Sequence, residues 1–594
     1  MTVPTINERT PQSADVALAQ QPPEAEVVRS AGIVSAAVLF SRLSGLVREI
    51  VMADRFGAGF AHDAFLLGFR ISNLSRDLFA EGALSSAFVP TFTHSLVRQD
   101  KRHAAELANL VTTAILVIVG AVCLLGMWQA PHLVWLLAPG FASTPIKFAL
   151  AVRLTRIMFP FLLLIALAAQ ATGMLNSHGS FGMPAVGSIF FNIGSVGFGL
   201  LIGYVIGPHV GLIPIEGMAY GVVVGGALQF GWQRAKLHRL GYRFRLVWNW
   251  SHPGLRRIAN MMLPALVGSL AGQANLIINT SFASQLTDPI RGHDGPVSWL
   301  SYAMRFVQVP LSLFGVAFAS ALLPSIARSA AASNFNEFRK TLARSLGMVF
   351  LLTIPSSLLL IVLGQPLIGA VYQSGHFNSY DTAQTGLALS CYAAGLVAFS
   401  AQRVLIPAFY ALADARTPML ISLFSIALNV TIPLLLLRVW HIGFEALAIT
   451  TAVAVGIECL CLAECLRRKL RGLEAQRARS CRETVPGICA ASTSASCAGY
   501  SEGRYLRGCF LRIALASAIM ALSVVFVRGL VVSAFPQTRW GDLSELALSV
   551  PLALGTFLIA ARALDVEEIR FAYDSFVVPT WRRLRSLHAK IRIG

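Results

Sequence analysis

Charged residues are scarce in this sequence. Asp, Glu, Lys and Arg make up 13% of its 594 residues, whereas about 25% is usual in soluble proteins. Hydrophobic residues account for 55%, and the mean hydropathy is +0.65. This composition excludes an ordinary soluble globular protein and predicts a polytopic membrane protein.

Metal-binding and nucleotide-binding motifs are also missing. The 12 histidines include no HExxH pair, and no Walker A loop is present. Four cysteines, Cys481, Cys489, Cys497 and Cys509, are separated by 8, 8 and 12 positions, which differs from the paired CxxC spacing of a zinc site. We therefore expect no metal, no cofactor and no enzymatic activity.

The N-terminal residues lack the apolar stretch of a cleavable signal peptide. Met1 to Glu26 is polar and contains several Pro and Gln residues. We therefore expect the first apolar helix to target the chain to the membrane. Residues 1–28 are interpreted as a polar cytoplasmic N-terminus.

Apolar segments fill most of the remaining chain, and about fourteen of them are long enough to cross a bilayer. Their approximate limits are residues 30–53, 62–93, 106–128, 149–174, 183–206, 213–234, 256–284, 297–326, 343–371, 382–412, 418–438, 444–466, 510–534 and 543–563. Long apolar segments of this kind predict α-helices, because a helix satisfies its own backbone within lipid.

Lys and Arg are concentrated in alternate loops, which is the pattern expected of cytoplasmic loops. The basic loops include Arg98, Lys101, Arg102, Arg234, Arg243, Arg245, Arg256, Arg257, Arg328, Arg339, Arg467, Lys469 and Arg482. This distribution predicts that both termini are cytoplasmic. It assigns the net charge of +19 to membrane orientation and to contact with anionic membrane lipid, and not to nucleic acid.

An internal repeat relates two parts of the chain at an offset of 234 residues. GALSSAFVPTF from Gly82 matches VAFASALLPSI from Val316, and Pro184 falls on Pro418 at the same offset. A parallel repeat is typical of transporters. The predicted fold is an all-α polytopic membrane protein of about fourteen transmembrane helices, with two six-helix repeats around a central cavity plus two C-terminal helices. The predicted boundaries are 29–246 and 247–470 for the repeats, 471–507 for a poorly ordered cytoplasmic loop, 508–565 for helices 13 and 14, and 566–594 for a basic cytoplasmic tail.

Several charges lie inside the apolar segments, where each costs about 2.5–3.5 kcal/mol at the bilayer centre. The arginines are Arg42, Arg48, Arg76 and Arg305, and the last has no acid within one helical turn in sequence. If residues from about His62 form one long helix, then Asp63, Arg70, Asp77 and Glu81 share one face of it. This arrangement predicts a charged, water-filled cavity. Guanidinium groups suit an anionic ligand with phosphate or carboxylate groups.

Other interpretations of these charges stay open. The helix carrying Asp63 could lie on the membrane surface, or its charges could form ion pairs that hold the bundle together. Arg305 could extend its side chain to the interface.

The same stretches resemble a known family. SRLSGLVRE, FGAGFAHDAFLLGFRISNLSRDLFAEGALSSAFVP, LLAPGF, RIMFPFLLLIALAAQATGMLNSHGSFGMPA, GVAFASALLPSIAR and LIPAFYALADARTP are similar to the MurJ (MviN) family of lipid II flippases, in the multidrug/oligosaccharidyl-lipid/polysaccharide exporter superfamily. The resemblance covers Ala31 to Arg467 and the last two helices. It implies a bacterial inner-membrane protein whose essential cavity residues are Arg42, Arg48, Arg76, Arg305, Asp63 and Glu81.

The resemblance also implies a groove for the undecaprenyl tail, formed by helices 13 and 14. Some members of the family bind sodium through acids on helices 7 and 11. Here those helices carry Asn275, Asn279 and Asn429 and no carboxylate, so we expect no strict sodium requirement. The long loop 471–507 is a second departure, and we expect it to be dispensable.

The function implied is transfer of lipid II, the lipid-linked peptidoglycan precursor, from the cytoplasmic to the periplasmic leaflet by alternating access. Lipid II is the expected partner, and cell-wall synthesis proteins are further candidates. Two alternatives stay open. One is another lipid-linked oligosaccharide or drug exporter of the same superfamily, and the other is a membrane scaffold for cell-wall enzymes.

Overall fold

The protein is predominantly helical in the part that the structure describes. This computed structural model describes residues 24–76, 84–98, 100–180, 182–312, 326–439, 443–484, 495–534 and 538–572. Within these ranges the only β-type pairing is an isolated bridge between Asp288 and Gly292.

The helices follow the predicted apolar segments closely. In chain order they are α1 Glu24–Phe56, α2 Phe60–Arg76, α3 Leu84–Arg98, α4 Lys101–Trp128, α5 Ala130–Leu137, α6 Pro145–Ser177, α7 Gly182–Leu200, α8 Gly207–Val210, α9 Pro214–Arg239, α10 Pro253–Gln285, α11 Pro296–Pro310, α12 Phe335–Val362, α13 Gly364–Tyr372, α14 Ser379–Ala393, α15 Leu396–Ala411, α16 Arg416–Val439, α17 Glu445–Thr484, α18 Ala495–Ala534, α19 Arg539–Ala563 and α20 Glu567–Ala572. A π-helical turn, Leu201–Ile206, joins α7 to α8.

Eight of these helices are long and apolar enough to span a membrane within the described residues, or nine if α14 and α15, bent by 42° at their junction, form one span. The prediction of an all-α, multi-pass membrane protein is therefore confirmed. The count of fourteen spans stays a prediction.

The chain divides into two compact units. The first comprises Met1–Val51, Phe69–Gln129 and Leu154–Ser269, and the second comprises Met52–Gly68, Ala130–Arg153 and Leu270–Gly594. Neither unit is continuous in sequence, because the turn between α1 and α2 and the stretch around α5 belong to the second unit. The repeat boundary at residues 246 and 247 stays a prediction.

In the first unit, α7 and α9 pack backbone against backbone. A Cβ atom built on Gly221 would lie 2.3 Å from Ser195 O of α7, and one built on Gly217 would lie 2.2 Å from Gly203 Cα in the π-helical turn that follows α7. Only glycine allows such an approach, and small residues favour close helix pairs in lipid. The seam between α7 and α9 is therefore specified directly by the sequence.

In the second unit, α12 is the central packing element. Phe338 and Val349 are fully buried on it and share a cluster with Val404 of α15 and Leu462 of α17. Its other side contacts α18 and α19 through a second cluster that contains Met348, Ile513, Met520 and Ala553. The two C-terminal helices are thus part of a common apolar core.

The helix predicted from His62 onward is described only in part. Helix α2 ends at Arg76 and α3 begins at Leu84, and residues 77–83 lie outside the described residues. Asp77 and Glu81 fall in this stretch. Their place on a shared helix face therefore stays a prediction.

The expected loop 471–507 is corrected by the structure. Helix α17 continues to Thr484 and α18 begins at Ala495, and residues 485–494 lie outside the described part. The extension of α17 is held by an ion pair of 2.9 Å between Glu474 Oε2 and Arg339 of α12. The prediction was wrong because it weighed the Ser, Gly and Cys content, whereas the Leu, Glu, Ala, Gln and Arg residues after Gly472 are good helix formers.

This correction changes the expected effect of removing the segment. Replacing Gly472 to Arg504 by a short Gly/Ser linker is now expected to lower the thermal unfolding temperature, because it cuts both helices and removes the Glu474 ion pair. Thermal unfolding of the purified chain in detergent measures this. An unchanged unfolding temperature would restore the original expectation of a dispensable loop.

Candidate functional site

Arg48 of α1 is the best-defined of the predicted arginines. Its guanidinium carbon lies 5.3 Å from the ring centre of Phe69 and 5.5 Å from that of Phe191. Its Nη2 donates to Glu49 Oε1 at 3.0 Å, and its side chain is 14% exposed. Aromatic faces and a carboxylate stabilise a guanidinium in a partly dehydrated place. Arg48 is therefore held in position within the first unit.

A strip of polar groups continues along α1 toward Arg42. Asn192 of α7 donates from Nδ2 to Ser44 Oγ at 3.0 Å and to Ser41 O at 3.3 Å. The Arg42 side chain next to this strip is exposed. An exposed arginine and a fixed arginine thus follow one another on the same helix.

The other two predicted arginines, Arg76 and Arg305, lie on α2 and α11. Arg305 has an exposed side chain on α11, in the second unit. The side chain of Arg76 and the whole of Glu81 lie outside the described residues. The convergence of Arg42, Arg48, Arg76 and Arg305 on one cavity therefore stays a prediction.

Asp63 occupies an enclosed site in the second unit. Its side chain is fully buried, and Oδ2 lies 2.8 Å from Lys147 Nζ. It also accepts hydrogen bonds of 3.0 Å from the backbone N–H groups of Gly295 and Ser298, at the N-terminus of α11, where an anion is favoured. The expectation that Asp63 faces an aqueous cavity is not met in this conformation, because its carboxylate is surrounded by protein.

Lys147 completes this enclosed site, although the sequence patterns did not indicate it. Its side chain is fully buried, and Nζ donates to Asp63, to Asp294 Oδ1 at 2.8 Å and to His293 O at 2.9 Å. Phe141 lies beneath it, with its ring centre 4.5 Å from Nζ. The available signal was that Lys147 is the only Lys or Arg between Arg102 and Arg153.

His62 and Tyr302 extend the enclosed network around Asp63. Ser298 Oγ donates to Asp63 Oδ1, so it accepts from His62 Nδ1 at 2.8 Å. In a neutral imidazole, Nε2 then accepts from the Tyr302 hydroxyl at 3.0 Å. The two rings are stacked, with centres 4.8 Å apart and planes at 2°. The polar atoms thus form one ordered chain of hydrogen bonds.

A second buried ion pair lies in the same unit. Asp381 of α14 is fully buried, contacts Arg291 Nη2 at 3.0 Å and accepts from Trp299 Nε1 at 2.9 Å. Arg291 also donates to Ala58 O at 3.3 Å, and His376 N donates to Asp54 O at 2.9 Å. Segments around residues 54–63, 140–147, 288–299 and 374–381 are therefore fastened together. The predicted loop order puts all four on the side opposite the cytoplasm.

The amides of α10 and α16 take the place of the acids expected at a sodium site. Asn279 Nδ2 donates to Thr451 Oγ1 at 3.0 Å, and the buried Asn429 donates to Ser425 O at 3.2 Å. Within the described ranges, no group of three or more His, Cys, Asp or Glu residues is placed to hold a metal ion.

One serine motif also occurs in the chain, GYSEG from Gly499 to Gly503. A nucleophilic serine of this kind needs a sharp turn between a strand and a helix. Here the motif lies inside helix α18, so it does not form that turn.

Comparison with known proteins agrees with this architecture. Against solved structures, the chain matches one described as "Lipid II flippase MurJ, inward closed conformation" with a TM-score of 0.68 and 23% identity, over 89% of this chain and 99% of that one. An inward-facing multidrug resistance transporter of the MATE family matches with a TM-score of 0.60 and 14% identity, over 73% and 96% of the two chains. At these identities the two matches show the fold alone.

Sequence comparison is more specific. The protein described as lipid II flippase MurJ of Burkholderia cenocepacia is 35% identical over 394 residues, which cover 66% of this chain and 74% of that protein. The probable lipid II flippase MurJ of Vibrio cholerae is 33% identical over 435 residues, 72% and 80% of the two chains. The family model described as "Lipid II flippase MurJ" matches residues 52–550. The chain is therefore a multi-pass inner-membrane protein that belongs to the MurJ family of lipid II flippases.

Proposed function

We propose that this protein moves lipid II from the cytoplasmic to the periplasmic leaflet of the inner membrane, for peptidoglycan synthesis. The relatives named above are described as a lipid II flippase and a probable lipid II flippase. The observation in this chain that carries the proposal is Arg48, whose guanidinium is held between Phe69 and Phe191 inside an apolar helix bundle. A fixed guanidinium is suited to the pyrophosphate and the peptide carboxylates of lipid II.

The transport cycle needs no covalent step. Arg42, Arg48, Arg76 and Arg305 would hold the anionic head group in a central cavity, and Glu81 would accept hydrogen bonds from its neutral donor groups. In the state described here, the buried pairs Lys147–Asp63 and Arg291–Asp381 fasten the segments predicted to face the periplasm. Both pairs lie within the second unit, so Asp63 would act by holding that unit together.

The orientation proposed is that both termini face the cytoplasm. It is supported by the Lys- and Arg-rich loops, which a membrane protein retains on the cytoplasmic side. The tail of lipid II would remain in lipid beside α18 and α19, whose outward residues Leu522, Phe526 and Leu554 are between 61% and 70% exposed.

The test of the proposal is a leaflet-resolved assay of lipid II in cells depleted of their own flippase and supplied with this chain. Arg42→Ala, Arg48→Ala, Arg76→Ala and Arg305→Ala are each expected to abolish growth at near-normal membrane levels. Arg468→Ala is the control, because that side chain lies outside the predicted cavity, near the predicted cytoplasmic end of α17, and is 77% exposed. Growth of cells that carry three or more of these four variants would contradict the proposed anion site. Growth without lipid II transfer would favour a scaffold, and transfer of a different lipid-linked oligosaccharide would favour the related exporter.

The geometry of the anion contact can be tested separately at Arg305. Arg305→Lys keeps the positive charge but loses the two parallel donors of a guanidinium. We expect Arg305→Lys to fail in the same assay, whereas the exposed control Arg468→Lys passes. Equal transport by Arg305→Lys and the parent chain would mean that a point charge is sufficient.

A further inference from the structure

The connection between α9 and α10 runs along a membrane-spanning helix instead of across the surface. Residues 242–249 are extended and irregular. The Tyr242 ring centre lies 5.8 Å from Lys101 Nζ at the start of α4, and Val247 N donates to Thr113 Oγ1 at 3.3 Å. Five extended residues span about 17 Å, and the twelve residues of helix from Lys101 to Thr113 rise about 18 Å. The connection therefore follows α4 toward the membrane interior.

The chain then turns back on the same side. The last charged residue at this end of α4 is Glu106, and Thr113 lies about 10 Å deeper by helical rise. At Gly254 the connection is level with Leu107 again, since a Cβ atom on Gly254 would lie 2.9 Å from Leu107 Cδ1. We name residues 242–252 the linker segment. The linker segment runs along α4 from its charged end to the level of Thr113 and then returns to the level of Leu107. The whole linker segment and α4 belong to the first unit.

The linker segment alternates in polarity with the period of an extended chain. Its even positions are all aromatic or aliphatic, namely Tyr242, Phe244, Leu246, Trp248 and Trp250, and its odd positions are Arg243, Arg245, Val247, Asn249 and Ser251. Leu246 is 66% exposed and Trp248 is 65% exposed. The Trp248 and Trp250 rings meet edge to face with centres 6.0 Å apart. From Phe244 to Trp250 this face is thus a row of exposed apolar groups, whereas Tyr242 at its start is buried against the protein.

Depth, polarity and charge together indicate what covers this face. Tryptophan is enriched where the hydrocarbon meets the head groups, and irregular backbone is excluded from the lipid-exposed hydrocarbon itself. Arg243 and Arg245 are exposed on the opposite edge. Each basic residue near an anionic leaflet contributes about fivefold to binding, from about 1 kcal/mol per residue. A basic, tryptophan-bearing segment at this depth has the chemistry of an anionic membrane interface.

We propose that the linker segment is embedded in the interface of the cytoplasmic leaflet, where Arg243 and Arg245 bind the phosphates of anionic phospholipids. Leu246, Trp248 and Trp250 contact the upper acyl chains. The connection between the two sequence repeats is then a lipid-binding element that responds to the composition of the leaflet from which transport starts. This inference does not depend on the identity of the transported substrate.

The first test measures depth. The full chain and a Trp248→Phe/Trp250→Phe variant are reconstituted in phosphatidylglycerol-containing vesicles, and their tryptophan emission spectra are subtracted. We expect a blue-shifted difference spectrum that is quenched by phospholipids brominated near the head group and shielded from aqueous iodide. A red-shifted difference spectrum, quenched by iodide and indifferent to brominated lipid, would overturn the proposal and would favour a protein partner for the exposed tryptophans.

The second test measures the charge contribution. Phosphatidylglycerol or phosphatidylcholine is titrated onto the detergent-solubilised full chain, and the rise in thermal unfolding temperature reports binding. Arg243→Gln/Arg245→Gln is expected to weaken phosphatidylglycerol binding about 25-fold. The control Arg239→Gln/Arg257→Gln removes equal charge from exposed positions that flank the segment and is expected to weaken it no more than a few fold. Equal losses in both variants, or none in the first, would contradict a lipid site in the linker segment.

Discussion

A Lys147→Met variant is expected to lose most of its folded population in the membrane. The substitution leaves Asp63, a fully buried carboxylate, without its cation. Removing one partner of a buried ion pair costs about 3–5 kcal/mol, which is a large fraction of the 5–15 kcal/mol that typically separates folded from unfolded protein. Thermal unfolding in detergent and the steady-state membrane level both measure the loss.

The matched control is Lys469→Met, which removes a lysine from an ion pair with the loop residue Asp414. That pair is partly exposed, with 32% of the Lys469 side chain accessible, so the expected cost is at most about 1 kcal/mol. The hydrogen bond from Lys469 lowers the pKa of Asp414 to about 2. The stability that the Lys469–Asp414 pair contributes is therefore fully present above the ordinary aspartate pKa and is lost only as pH falls toward about 2. The control can thus be measured at any pH near neutrality.

A second comparison separates the ion pair from simple packing. Asp63→Asn/Lys147→Met removes both charges of the pair, and Asp294, whose side chain is 32% exposed, can be hydrated. We expect the double variant to lose less unfolding free energy than the two single variants lose together, by about 0.5–3 kcal/mol. Strictly additive losses, or a Lys147→Met protein as stable as the parent, would show that the buried charges do not act on one another.

Collapse of the membrane potential is expected to stop transport, whereas replacement of sodium by potassium is expected to leave it unchanged. One elementary charge that crosses 100 mV is worth about 2.3 kcal/mol. A net displacement of one to two charges would therefore shift the ratio of inward to outward conformers by about one to three orders of magnitude. The arginines proposed to line the cavity would provide that displacement, and an anionic head group would partly neutralise it.

The two conditions are separated by an ionophore at constant pH and by a sodium-to-potassium exchange at constant potential. The expectation rests on the neutral amides of Asn279 and Asn429, which bond to Thr451 and Ser425. Transport that survives collapse of the potential but stops without sodium would refute this account. It would mean that neutral oxygen atoms are sufficient to bind a coupling cation.

The sequence predicted the helices well, because apolar length and loop charge are local properties. The limits of α4, α6 and α9 agree with the predicted segments to within a few residues at most of their ends. The extension of α17 was missed because amino-acid composition was weighed above helix propensity. Composition and helix propensity are both local properties, and the residues after Gly472 have a high helix propensity.

The enclosed polar network could not be predicted in the same way. Lys147 is 84 residues from Asp63 and 147 residues from Asp294. A single sequence gives the charge of each residue but not which distant charges meet. For the same reason Asp63 was assigned to a cavity wall, although a charge inside an apolar segment is compatible with either a cavity or a buried pair. Only the fold distinguishes the two.

The glycine seam between α7 and α9 has a mechanical consequence. Because Gly217 and Gly221 bring the two backbones into direct contact, no side chain separates them at these two positions. Sliding by less than a full helical turn of about 5.4 Å would drive carbonyl groups into the opposite helix. We therefore expect the two helices to keep their relative position and to move together during transport.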